Sequence, residues 1–148
     1  MRVEKDFKEF IESLNRNSVR YLIVGSFALS YYADPRYTKD IDILIDSTSS
    51  NAERLLTAIR EFGFSDIEIG IRDFLAPDQI IQLGIAPVRI DLLTSLKGIL
   101  FAEAWDRRTI GRYGDIPAFY ISKQDLIDHK KIVGRKQDLA DIEKLIKS

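Results

Sequence analysis

Apolar residues recur along the chain in two periods, and the switches between them mark out the elements. In "EKDFKEFIESL", Phe7, Phe10, Ile11 and Leu14 are three and four apart, the spacing of one helix face. "VRYLIVG" is a short β-rich run ending at Gly25, and "SFALSYYA" predicts a short helix starting beside that glycine. "DPRYT" predicts a loop, because Asp34-Pro35 is a turn signal. "DIDILID" predicts a strand, and "SNAERLLTAIREFGF" a helix stopped at Gly63. "IEIGI", "QIIQLGI" and "VRIDLLT" follow as three strand candidates, then "GILFAEAWDRR" as a helix and "IPAFYI" as a strand. Ser122 opens another helix through "SKQD", a capping-box pattern with Asp125 where Glu or Gln is usual. That helix reaches Gly134, and a last one, "QDLADIEKLIK", carries Leu139, Ile142, Leu145 and Ile146. No repeat or long linker interrupts the order. The pattern predicts one α+β domain with a mixed sheet and helical ends.

Composition narrows the chemistry more than the fold. At 148 residues the chain is long enough to bury a core. Its net charge of −1 argues against a broad basic surface for nucleic acid, while leaving room for a local basic patch. There is no cysteine and a single histidine. Disulfides, thiolate metal sites and multi-histidine zinc sites within one chain are therefore excluded, and any metal would be held mainly by carboxylates, which favours Mg²⁺ or Mn²⁺. "MRVEKDFKEFIESLNRN" is charged throughout and lacks the apolar core of a signal peptide, and no stretch is long enough to span a membrane. The expectation is a cytoplasmic protein.

Against that background the strand "DIDILID" is unusual. Residues i and i+2 of a strand share a face, so Asp40 and Asp42 point one way and Ile41, Ile43 and Ile45 the other. Two ionised carboxylates held this close repel unless a cation lies between them; a merely solvated strand face is the plainer alternative. "PVRIDLLTS" repeats the arrangement, with Val88, Ile90 and Leu92 on one side and Arg89 and Asp91 on the other. If the two strands are neighbours, Asp91 joins Asp40 and Asp42 around one cavity, and three carboxylates suffice for a two-metal phosphoryl-transfer site. Gly25-Ser26 precedes a helix, where glycine lets a phosphate approach the backbone and the first helical N–H groups are free to bind it.

In order, the chain shows an apolar strand, Gly25-Ser26, thirteen residues, then Asp40-Ile41-Asp42, with Asp91 on a later strand. This resembles the nucleotidyltransferase superfamily related to DNA polymerase β, whose pattern is an apolar residue, Gly, Gly or Ser, a short spacer, and Asp-x-Asp or Asp-x-Glu between apolar residues. "RYTKDIDILI", "PVRIDLL" and "KQDLIDHKKIVGRKQDLADIEKL" are similar to small prokaryotic nucleotidyltransferases near the AbiEii-type group, over roughly residues 20–146. "GSFALS" departs from the Gly-Ser-Arg-Ala-Arg-Gly of MNT-type antitoxins. The resemblance implies a single minimal domain over residues 1–148: a mixed-sheet nucleotidyltransferase core flanked by helices, with C-terminal helices. It implies Asp40, Asp42 and Asp91 as metal ligands and catalytic carboxylates for Mg²⁺ or Mn²⁺, and an NTP such as ATP as substrate. It also implies Gly25, Ser26, Arg36, Thr38, Lys123, Lys130 and Arg135 at the nucleotide.

The basic residues carry their own readings. Arg36 lies in the loop before Asp40, either reaching the triphosphate or the acceptor or simply exposed. On the helix from Ser122, Leu126, Ile127 and Val133 define an apolar stripe with Lys130 in its middle and Lys123 one heptad earlier. A lysine there either snorkels past the core edge or faces an anionic cavity; the second is favoured, with Lys130 serving the triphosphate and being dispensable to the fold. Asp138 either orients Arg135 or Lys130 or serves a helix dipole. His129 is expected to be structural. Tyr31, Tyr32 and Tyr37 either stack on a base or belong to the core and rim. The expected activity is NMP transfer to a tRNA end, a protein hydroxyl or a small hydroxylated compound. The alternatives are a catalytically silent nucleotide- or partner-binding module and one component of a toxin–antitoxin pair with an antitoxin partner.

Overall fold

A computed structural model describes residues 3–33, 35, 39–64, 68–84 and 89–148. The amphipathic run after Glu4 forms α1 (Lys5–Arg16) and buries Phe7, Phe10, Ile11 and Leu14. It leads into β1 (Tyr21–Val24), which is buried along its whole length, and Gly25 turns the chain at once into α2 (Gly25–Tyr32). Next come β2 (Asp40–Ile45), α3 (Ser49–Phe62), the short α4 (Ile71–Leu75), β3 (Ile80–Leu83) and β4 (Arg89–Leu93). The chain ends with α5 (Phe101–Asp106), the hairpin β5 (Thr109–Tyr113) and β6 (Ile116–Tyr120), then α6 (Lys123–Val133) and α7 (Lys136–Lys147). No helix among the described residues is long and apolar enough to cross a membrane.

The six strands form one mixed sheet in the order β3-β4-β2-β1-β6-β5. β2 lies antiparallel to β1 and parallel to β4, while β6 runs parallel to β1. β3 and β5 close the two edges by antiparallel pairing. The central strands β1, β2 and β4 supply Leu22, Ile23, Ile41, Ile43 and Leu92, all fully buried. α1 packs against α3 and β6, and α2 lies against β1 and β2 and touches α6 and α7. This is the expected α+β mixed sheet with flanking and C-terminal helices.

One clamp ties the ends of β1 and β2 to α3. Asn51 is fully buried; its Oδ1 accepts from the Arg20 N–H at 2.7 Å, and its Nδ2 donates to the carbonyls of Arg20 at 3.1 Å and Asp46 at 2.9 Å. A buried amide with its donors and acceptor matched fixes where the sheet stops and the helix begins.

Two elements differ from the sequence reading. "IEIGI" is not a strand in its described part: residues 68–70 are irregular and Ile71 begins α4, because the Asp73 carboxylate accepts from the Gly70 N–H at 2.8 Å and starts a helical turn. β5 was not anticipated. Its partner register, Tyr113 opposite Ile116, leaves Gly114-Asp115 as a two-residue hairpin loop, with Gly114 at φ +63°.

Candidate active site

The parallel pairing of β2 and β4 sets Asp42 directly beside Asp91 and Asp40 beside Arg89. Because these residues alternate with Ile41, Ile43, Ile90 and Leu92, the sheet drives the apolar set into the core and leaves the polar set together on one face. The two Asp-bearing strands are thus neighbours, as the three-carboxylate reading requires. Asp91 is the most enclosed of the three, at 8% exposure, with Asp40 and Asp42 half-buried.

Gly25 sits where β1 meets Asp42, since Val24 is the register partner of Asp42. Its φ is +63°, and a Cβ there would run into the Asp42 carboxylate. Glycine is required on both counts. Gly25→Ala is expected to cost about 2 kcal/mol in a urea melt and to push Asp42 off the shared face; unchanged stability would mean the backbone there is not held in the left-handed region. Ser26, half-buried, follows Gly25 in the first turn of α2.

Burial, and then the neighbouring charges of Asp91 and Asp40, push the Asp42 carboxyl up to about 6, with Arg89 opposing the shift. Arg89 lies within the cluster. Its Nη2 donates to Asp40 Oδ2 at 2.9 Å and Asp91 Oδ2 at 3.2 Å, and its Nε is 3.2 Å from Asp91 Oδ1. The Gln82 amide, on β3 opposite Asp91, is assigned with its oxygen toward Arg89, since the reverse sets donor against donor; it then accepts from Nε at 2.8 Å and Nη1 at 3.1 Å. The Nε hydrogen is therefore directed at Gln82, and Asp91 Oδ1 remains buried with an ion-pair contact but no hydrogen bond.

The donor set suits a hard divalent cation: carboxylate oxygens on adjacent strands, one of them an orphaned buried acceptor. Among the described residues no three side chains already converge as a metal cage. Arg89 holds the space between Asp40 and Asp91. Its role went unread in the sequence, although the alternation Arg89-Ile90-Asp91 already places it on the carboxylate face. Gln82 had no signal short of the β3–β4 register.

The other expected site residues are distributed differently. Arg36, Tyr37 and Thr38 lie outside the described residues. Lys130 is 8% exposed and does meet anions, but they are the protein's own: Nζ donates to Asp141 Oδ2 at 3.0 Å and lies 3.6 Å from Asp138 Oδ1, both on α7. These pairs favour a structural role for Lys130, against the expectation that it is dispensable to the fold. Asp138 caps α7, accepting from the Arg135 N–H at 3.1 Å and from Arg135 Nε at 2.8 Å. These Arg135 hydrogen bonds, more than the nearby Lys130, hold its carboxyl down at about 2 despite burial. Lys123 reaches the C-terminal turn, donating to the Ser148 carbonyl at 2.8 Å. Ser122 caps α6 by accepting from the Asp125 N–H, while the Asp125 carboxylate leaves the capping pattern to bind Arg107 with both oxygens. His129 Nδ1 donates to the Lys97 carbonyl at 2.8 Å, a structural contact. Tyr31 stacks on Tyr120 with centroids 4.0 Å apart, and the Tyr32 hydroxyl bonds to Ile121 O and Thr109 Oγ1.

A mixed sheet carrying Gly-Ser at a strand-to-helix turn, with three aspartates on two adjacent parallel strands, defines a nucleotidyltransferase-type domain. The chain belongs to a family described as nucleotidyltransferases of unknown function (DUF6036), whose model matches residues 1–147. Among solved structures it is similar to the lincosamide antibiotic adenylyltransferase LnuA in a lincomycin-bound crystal form, with a TM-score of 0.62 and 18% identity over 96% of this chain and 95% of that one. At that identity the likeness concerns the fold. No curated protein matches in sequence.

Proposed function

We propose that this protein transfers a nucleoside monophosphate from an NTP to a hydroxyl of a small molecule, releasing pyrophosphate. The observation that carries the reading is the side-by-side register of Asp42 and Asp91, with Asp40 two residues away and Gly25 packed against Asp42. Asp40, Asp42 and Asp91 would hold Mg²⁺ or Mn²⁺, which when bound offsets triphosphate charge and lowers the acceptor's pKa. Gly25 and Ser26, at the first turn of α2, receive phosphate oxygens on backbone N–H groups and a hydroxyl. Asp91, with its orphaned Oδ1, takes the acceptor proton. The acceptor oxygen then bonds to the α-phosphorus as the bond to the β-phosphate oxygen breaks, and pyrophosphate leaves.

A small acceptor is favoured over a tRNA end or a protein hydroxyl on two grounds. The net charge is −1, which gives little support for extended RNA contacts, and the similar fold of LnuA acts on an antibiotic. The test is incubation with each α-labelled NTP and Mg²⁺ against a panel of lincosamides and aminoglycosides, total tRNA and a protein lysate. Label on a small hydroxylated compound is the expected outcome. Label on tRNA or protein alone would overturn the acceptor class, and no transfer to any of them, with no pyrophosphate release, would overturn the enzymatic reading.

A further inference from the structure

Arg89 is not placed like a surface arginine. It occupies a strand position whose register partner is Asp40, two residues before Asp91 on the same face, so its guanidinium is delivered into the carboxylate cluster by the sheet itself. Four oxygens hold it there: one of Asp40, both of Asp91, and that of Gln82. Gln82 matters to the argument. It sits on an edge strand, carries no charge to be neutralised, and still spends its acceptor on Arg89. The guanidinium is thus supported from the side away from Asp40, and its planar fork matches these oxygens in a way that a flexible ammonium would not.

A cation in this position has a consequence for metal loading. Asp40 and Asp91 belong to the proposed ligand set, and each already has an ion pair with Arg89. A divalent ion drawing on the same oxygens competes with the guanidinium, and the net negative charge available to it is reduced by one. The triphosphate of an NTP offers the displaced arginine a new anionic partner and offers the ion additional oxygen ligands.

We infer that Arg89, braced by Gln82, is the built-in counter-cation of the Asp40–Asp42–Asp91 cluster, competing with the divalent ion and making metal loading depend on nucleotide. This rests on the nucleotidyl-transfer reading of the cluster. It assigns Arg89 a positioning and gating role, and it predicts that metal and nucleotide bind with positive coupling.

The test is a Mn²⁺ titration of metal-stripped protein, read by the electron paramagnetic resonance of free Mn²⁺. It is run on the wild type, Arg89→Met, Arg89→Lys and Asp91→Asn, each with and without a non-hydrolysable NTP analogue. Arg89→Met is expected to bind Mn²⁺ about tenfold more tightly than the wild type in the absence of nucleotide. The gap is expected to close when the analogue is present. Arg89→Lys, which keeps the charge but loses the fork, should fall between, and it carries the same comparison if Arg89→Met folds poorly. A parallel thermal melt should show Mn²⁺ raising the midpoint of Arg89→Met more than that of the wild type. If Arg89→Met binds Mn²⁺ no better than the wild type while Asp91→Asn abolishes binding, the competition is wrong and the site reading stands. If no variant, the wild type included, binds Mn²⁺ even with the analogue, the site reading itself falls and the inference with it.

Discussion

Asp42→Asn is expected to lower nucleotidyl transfer by a hundred- to a thousandfold, roughly the loss seen when one electrostatic group of a reacting centre is removed. It should do so without unfolding the protein. Asp42 is half-buried, and the packing of β2 is carried by Ile41 and Ile43 on the opposite face. Stability should even rise near neutral pH. The folded carboxyl titrates at about 6, against an ordinary value of 3.8, chiefly because it is buried and then because Asp91 and Asp40 repel it. The folded state therefore favours the protonated form. That contribution is fully present below about pH 4 and is lost as pH rises through about 6. Asparagine removes the penalty, so the variant should melt higher than the wild type at pH 7, by about 1–2 kcal/mol once partial solvent exposure is allowed for, and equally at pH 4. Melts of metal-stripped protein at the two pH values and label transfer with Mg²⁺ separate the roles. An unfolded variant would make Asp42 structural, and undiminished transfer would remove it from catalysis.

The site was legible in the sequence where strand periodicity alone decides geometry. Asp40 and Asp42 must share a face if Ile41 and Ile43 fill the core, and the same logic put Asp91 opposite Ile90 and Leu92. Their adjacency needed only the pairing of β2 with β4, which the structure supplies in register. Gly25 was found as a permissive residue, but its closer constraint, the Asp42 carboxylate where a side chain would go, depends on the β1–β2 register. Arg89 and Gln82 show where periodicity stops: a face can be read from spacing, but which charges on it touch depends on strand order. The helices failed in a different way. Leu139 and Ile146 fit an apolar stripe on α7, yet they are 55% and 65% exposed, while Asp138 and Asp141 are buried. A buried cation on α6 inverted the hydrophobic reading of its partner helix. The hairpin at Gly114-Asp115 went unread, because Gly111 and Arg112 break the apolar alternation of β5 and hide the strand.

Lys130→Met should destabilise the protein by about 3 kcal/mol, or about 10 °C in melting temperature for a domain of this size. Methionine keeps most of the apolar stem, so the loss isolates the charge. With the ammonium gone, Asp141 loses its 3.0 Å contact with Nζ, while the Gln137 amide stays 2.8 Å from its Oδ1. Asp138 fares better because Arg135 still binds it, and its cap on α7 survives. A buried carboxylate stripped of its cation is costly, whereas removing both charges together is cheap. The double variant Lys130→Met/Asp141→Asn should therefore recover a substantial part of the loss, a coupling that a purely local packing defect would not show. Asp138 sets the acid limit of the comparison. Its folded carboxyl lies at about 2 against 3.8, so its stabilising contribution is present above about pH 4 and disappears as pH falls through 2. The melts therefore belong at pH 6 to 8, where that contribution is constant. Nucleotide affinity, measured well below the melting range, then separates this account from the one that periodicity favoured. If Lys130→Met is as stable as the wild type but binds NTP poorly, the ammonium serves the triphosphate and the α6–α7 ion cluster contributes little. If stability falls while affinity holds, Lys130 is a helix-to-helix tie, and the positive charge facing the nucleotide must come from other residues.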